Sequence, residues 1–180
     1  MTIIRYFVDT EFMEDGNSIV LLSIGAVDHN NGRLFYAENS DANWNDGNEF
    51  VKEYVIPKLT GPANQATWLH RSEIADLFKI WVLAGGGTPE FWGYYADYDW
   101  VTICQMYGAM IDRPESWPMY MLDIKQLAYM IGDPELPKQE RGEHNALDDA
   151  MHNQFMFEFL MAQTESSFTD SIVLDDGTEA

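Results

Sequence analysis

The sequence is short of positive charge. Ten lysines and arginines face 30 aspartates and glutamates, a net charge of −20. After Arg141 neither Lys nor Arg occurs again. Such a chain lacks the basic stripe with which a conventional nucleic-acid-binding module neutralises phosphates. Cysteine is almost missing. The single Cys104 excludes an intrachain disulfide and suits a reducing compartment, so a cytoplasmic location is expected. No apolar run reaches the roughly 18 residues that a membrane-spanning helix needs. No charged-then-apolar leader is expected either, because Asp9 and Glu11 interrupt the first apolar stretch. No internal repeat is visible.

What the chain does have is a globular composition, 46% hydrophobic over 180 residues, enough for one domain with a sizeable core. Residues 1–163 are read as that domain. Residues 164–180 are read as an acidic C-terminal tail, with an apolar island at Ile172-Val173-Leu174, that is loosely held or docks on a partner.

The chain opens with three β-prone runs, at residues 3–9, 18–27 and 33–37, separated by Asp15-Gly16 and by Asp28-His29-Asn30-Asn31-Gly32. These predict a three-strand antiparallel meander. A short helix is expected over 48–56, stopped by Pro57, and a longer one from an N-cap at Ser72 to about Ala84, burying Ile74, Leu77, Phe78 and Trp81. Gly85-Gly86-Gly87 ends that helix. It is read as a flexible stop, since no strand precedes it and no Lys follows, as a phosphate cradle would require. A fourth strand is expected at 89–94, a helix at 97–108, a fifth strand at 117–122, a helix at 124–131 and a last helix from Asn145 to about Ala162, with Leu147, Met151, Phe155 and Phe159 on one face. The sum is an α/β fold: a mixed five-stranded sheet, a three-strand meander plus two further strands, with helices on both faces.

One stretch breaks the apolar pattern in a way that asks for chemistry. Residues 3–8 read as a buried strand, yet Asp9 and Glu11 follow directly. Unpaired buried charge is costly, and residues two apart on a strand share a face. Two carboxylates side by side can grip a divalent cation. Two later stretches carry acids in similar settings: Tyr94-Tyr95-Ala96-Asp97-Tyr98-Asp99-Trp100, opening a helix, and His144-Asn145-Ala146-Leu147-Asp148-Asp149, opening the last one. High acidity does not exclude a metal-dependent nuclease, because bound cations meet the phosphate there.

Asp-x-Glu on the first strand, Tyr-Asp at a helix start and His followed five residues later by Asp on a late helix resemble the DEDDh 3′–5′ exonucleases. DTEFMEDG, SIVLLSIGAV, YVIPKL and WGYYADYDW, spread over about residues 3–160, are similar to the branch of small actinobacterial and phage exoribonucleases related to ribonuclease T and oligoribonuclease. The resemblance implies a ribonuclease H-like fold. It implies Asp9, Glu11, Asp99 and Asp149 as ligands of two Mg²⁺ or Mn²⁺ ions, and His144 as general base. It implies removal of nucleoside 5′-monophosphates from the 3′ end of single-stranded RNA, and a homodimer. Departures are Tyr95, where many members carry Asn, and the extra acids Asp97 and Asp148, expected to face solvent or cap a helix. Phe12 and Trp68 are candidates to stack on the terminal base and sugar, with Thr10 meeting the 3′-hydroxyl and Arg71, Lys138 and Arg141 the phosphates. His29, His70 and His152 have no motif context. Two alternatives stay open: a DNA exonuclease of proofreading type, and a non-catalytic acidic binding or inhibitory module on a nuclease fold.

Overall fold

The computed structural model describes residues 2–173. Its centre is one mixed sheet of six strands: β1 (Ile3–Glu14), β2 (Ile19–Asp28), β3 (Leu34–Asn39), β4 (Trp68–Leu69), β5 (Thr88–Gly93) and β6 (Leu122–Asp123). They lie in the order β4-β3-β2-β1-β5-β6. β1, β2 and β3 form the antiparallel meander, β4 runs parallel to β3, and β5 and β6 extend the sheet in parallel from β1. Four helices cover it: α1 (Arg71–Leu83), α2 (Asp97–Tyr107), α3 (Ile124–Met130) and α4 (Ala146–Val173). Among the described residues no helix is long and apolar enough to cross a membrane.

Alternation along β1 assigns the two layers. Ile4, Tyr6 and Val8 pack with Ile74, Phe78 and Val82 of α1 and Trp100 and Ile103 of α2. Phe7, pointing the other way, packs with Ile124 and Ala128 of α3 and Ala150, Phe157 and Leu160 of α4. Helices therefore lie on both faces, and β1 is the shared wall. A third apolar cluster, Met13, Leu22, Val51 and Val55, seals the far end of β1.

Several expected boundaries move, each for a local reason. β1 runs to Glu14, so the acid pair lies within the strand and not at its end. Pairing with β5 stops at Phe7 opposite Trp92. Beyond that point β5 has left β1, and the backbone beside Asp9 is open to whatever side chains arrive there. β4 is the strand that raises the count from five to six; two residues long, it owes its pairing to Glu38 and Asn39 of β3 and not to its own pattern. The fifth expected strand shrinks to Leu122–Asp123, and Trp117 turns into the core instead, against Phe78, Phe91 and Tyr107. α1 is capped by His70 and not by Ser72: Glu73 accepts the His70 amide at 2.9 Å, and Asp41 accepts the Arg71 amide at 2.9 Å. Its buried face is Ile74, Ala75, Phe78 and Val82, while Leu77 is exposed. The short helix before Pro57 becomes a π-helical turn, Val51–Val55, whose end is tied by the Ile56 amide to Val51 O. Pro57 has no amide to offer the carbonyl four residues back, which favours the wider bond.

The largest departure concerns α4. It presents Ala146, Ala150, Asn153, Phe157 and Leu160 inward, while Met151 and Phe155 are exposed. The cause is Gly25 of β2. A Cβ there would lie 2.2 Å from the carbonyl carbon of Ala146, so helix backbone and strand backbone nearly touch. Only small residues fit that contact; Met151 and Phe155 are turned away, while Leu147 and Phe159 stay partly buried against the α3–α4 cluster. α4 also continues to Val173. The expected tail therefore begins as helix, and its end, residues 174–180, lies outside the described residues.

Gly25→Val should force α4 off the sheet. Overpacking of this kind costs about 1–3 kcal/mol or more, read as a melting temperature lower by roughly 5 °C or more by circular dichroism. An unchanged melting temperature would mean that the close approach is not a structural requirement.

Candidate active site

The open edge of β1 collects acids from both layers. Asp9 and Glu11 stand on the face that meets α4, where Asp149 lies within the first turn of that helix. Asp9, Glu11 and Asp149 each offer an oxygen, and these atoms lie within 4.8 Å of one another. Asp99 enters from the other layer, in the first turn of α2. Its Oδ1 accepts from the Thr10 amide at 2.8 Å and from the Thr10 hydroxyl at 2.6 Å. Thr10 thus spans the two layers: its neighbours on β1 carry the carboxylates, and its own donors hold the fourth.

Asp149 is held as firmly. Gln139 donates to Oδ1 at 2.7 Å, and the His144 amide donates to Oδ2 at 2.9 Å. Asn145 begins the helix, its side chain accepting from the amides of Leu147 and Asp148 at 3.2 Å. One turn further, buried Asn153 donates to the Val8 carbonyl at 3.1 Å, which pins α4 to β1 just before Asp9. On the opposite side, Asp123 accepts the Ala96 amide at 2.7 Å and fixes the entry of α2.

Crowding shows in the proton equilibria. Burial first, then the charges of Asp99, Asp149 and Glu11, raise the Asp9 carboxyl well above its usual range. Burial and the charge of Asp149, to which a protonated Glu11 donates, push Glu11 up to about 8. Burial pushes Asp99 up to about 7 despite its two bonds from Thr10. Asp149 is also raised by burial, opposed by its bonds from Gln139 and the His144 amide. Four carboxyl groups resist ionising together, and three of them, Asp9, Glu11 and Asp149, bring oxygens within 4.8 Å of one another, an arrangement that could hold a hard divalent cation.

Asp9 and Asp149 line a cleft of about 330 Å³ with Tyr94, Lys138, Gln139, Glu143, His152 and Asn153. Across the 139–143 segment lies a larger groove, about 570 Å³, lined by Phe50, Tyr54, Lys58, Arg141 and His144 among others. His144 adopts a left-handed backbone conformation, φ 65°. Its ring packs edge-on to Phe50 at 5.2 Å. Phe12 and Trp68 line neither cleft: Phe12 stacks flat on Tyr98, ring centres 5.5 Å apart at 4°, and Trp68 meets Trp44 edge-on at 5.2 Å. Asp97 and Asp148 are exposed. Gln139, Asn153 and Asp123 escaped the motif reading. Asn153 had a signal, as a polar residue four after Asp149 on the same helical face; Gln139, in an irregular loop, had none.

Residues 4–161 match the family described as the 3′–5′ exoribonuclease Rv2179c-like domain. Two proteins of Mycobacterium tuberculosis are similar: 3′–5′ exoribonuclease MT2234.1 (strain CDC 1551 / Oshkosh) and 3′–5′ exoribonuclease Rv2179c (strain H37Rv). Each is 38% identical over 147 residues, covering 81% of this chain and 86% of its own. Among solved structures, S. pombe Pop2p, in a Mg²⁺- and Mn²⁺-bound form, superposes with a TM-score of 0.56 at 15% identity, over 85% of this chain and 81% of that one. The shared architecture is a ribonuclease H-like fold.

The raised carboxyl groups dictate a pH dependence. Glu11 has an ordinary value of 4.5 and about 8 in the folded state. A raised folded value gives stability that is full below about pH 4.5 and is lost as pH rises through about 8. The metal-free protein should therefore melt lower at pH 8 than at pH 5, and Glu11→Gln should flatten that difference. Equal slopes for the parent and Glu11→Gln would show that Glu11 does not carry the shift.

Proposed function

The chain belongs to the Rv2179c-like 3′–5′ exoribonuclease family, and from that premise we propose that it shortens single-stranded RNA from the 3′ end, releasing nucleoside 5′-monophosphates. The observation that carries the reading is the convergence of Asp9, Glu11 and Asp149 oxygens within 4.8 Å, with Asp99 held beside them by Thr10. Asp9, Glu11, Asp99 and Asp149 would hold two divalent cations, Mg²⁺ or Mn²⁺. When bound, such ions acidify a water and stabilise charge on the phosphate and the departing oxygen.

The chain's own residues supply the rest. His144, whose amide is bonded to Asp149, takes the proton from the attacking water. The water oxygen bonds to the phosphorus of the terminal linkage. The bond from phosphorus to the 3′-oxygen of the preceding nucleotide breaks, and that oxygen is protonated by solvent. Thr10 and Glu11 backbone groups meet the terminal 3′-hydroxyl. Phe12, already flat on Tyr98 in the helix turn that carries Asp99, offers a ring to base or sugar, and Arg141 and Lys138 meet phosphates beside the two clefts.

The test is incubation of 5′-labelled RNA and DNA oligonucleotides with Mg²⁺ or Mn²⁺ and with EDTA. RNA should shorten stepwise in either metal and not in EDTA, and Asp9→Asn should lose at least about 100-fold in rate, the scale set by losing electrostatic support at the reacting centre, without a lower melting temperature. No metal-dependent shortening of RNA would overturn the reading; faster loss of DNA than RNA would overturn its substrate.

A further inference from the structure

Phe50 and Tyr54 are large apolar side chains left 52% and 46% exposed. Phe50 caps the π-helical turn and Tyr54 lies within it, four residues on and hence on one helical face. Their rings meet at 5.1 Å, and both meet the His144 ring, Phe50 at 5.2 Å and 87°, Tyr54 at 6.2 Å and 56°. The three rings close a triangle at the wall of the larger groove. The turn itself is anchored: Val51 and Val55 are buried with Met13 and Leu22, so the aromatic pair is fastened to β1, the strand of Asp9 and Glu11. His144 is fastened at two points of different kind. Its amide is bonded to Asp149, and its ring leans on residues carried by β1's own packing partner.

A left-handed residue in an irregular loop has no helix or strand to fix its side-chain direction, so the ring's orientation must come from what it touches. A proton acceptor misplaced by about 1 Å loses on the order of 100-fold in rate. We propose that Phe50 and Tyr54 are positioning residues for His144, holding its imidazole at the angle from which it accepts the proton of the attacking water. The inference rests on the reading of His144 as general base.

The experiment is a double-mutant cycle in the full-length enzyme, measured by single-turnover cleavage of an RNA oligonucleotide so that slow variants remain readable. Phe50→Ala and Tyr54→Ala truncate half-exposed rings and leave Val51 and Val55 in place, so folding is checked simply by melting. In the parent background each should lower the rate constant by about 10-fold, within the range for a displaced acid–base group, with the half-saturating RNA concentration within about 2-fold. In a His144→Ala background the same changes should have less than about 2-fold effect, since a residue that acts through another has nothing left to act on. Phe50→Tyr should restore the parent rate. Equal losses in both backgrounds, or a loss confined to RNA saturation, would overturn the proposal and make the pair a stacking surface for bases. A His144→Ala enzyme as fast as the parent would remove the base and the proposal together, while leaving RNA shortening itself established; a parent enzyme inert on RNA would instead overturn the functional reading.

Discussion

Carboxylates that share a water-poor space repel one another, and this repulsion governs the molecule. Asp9, Glu11, Asp99 and Asp149 all have their ionised forms disfavoured by burial, and three of them bring oxygens within 4.8 Å of one another. Left to itself such a cluster would spread apart or draw protons. The fold must hold it together against its own charge, so Asp99 and Asp149 have neutral donors or backbone amides directed at them, and none of the four has a lysine or arginine partner in the hydrogen bonds among the described residues. An internal cation would relieve the repulsion and abolish the affinity for an external one. Thr10, Gln139 and the His144 amide restrain without neutralising.

The restraint extends outward through the packing. Asp149 is useful only if α4 lies close to β2, and that depends on Gly25 facing Ala146 with nothing between. Asn153 fixes the helix along its axis by bonding the Val8 carbonyl. Asp99 is useful only if α2 starts beside β1, which requires β5 to part from β1 after Phe7 and Asp123 to hold the Ala96 amide. The departure of one strand, the absence of one side chain and two polar anchors bring acids from two layers to one place.

Much of this was legible in the order of residues. The meander was visible because Asp-Gly and Asn-Gly turns separate β-branched runs, and the acid pair because carboxylates interrupt an apolar strand. What stayed hidden depended on contacts between distant segments. Hydrophobic periodicity put Met151 and Phe155 on the apolar face of α4; the helix is instead rotated so that Ala146 meets Gly25, a residue more than a hundred positions away, and Phe157 and Leu160 point inward further along. β4 pairs through the register of β3, and Gln139 acts from a loop with no period to read. The face that Phe12 presents follows from strand alternation: it points with Thr10 toward α2, where Tyr98 covers one side of its ring.

The distribution of the few cations follows the same logic. Arg5 is paired with Glu90, Arg33 with buried Asp28 and Lys125 with Asp133, while Arg113 donates to the Pro118 carbonyl. These serve the scaffold. Lys138 lines the cleft of Asp9 and Asp149, and Lys58 and Arg141 line the groove of His144. In a chain of net charge −20, long-range attraction cannot bring RNA to the site, and the field opposes approach until the last few ångströms. On the function proposed above, recognition is local: a strand end is retained only where a cation held by the carboxylates, an aromatic face and a nearby Lys or Arg act together. Such a surface offers a duplex no grip along its length, in keeping with the proposed removal of one residue at a time from a free 3′ end.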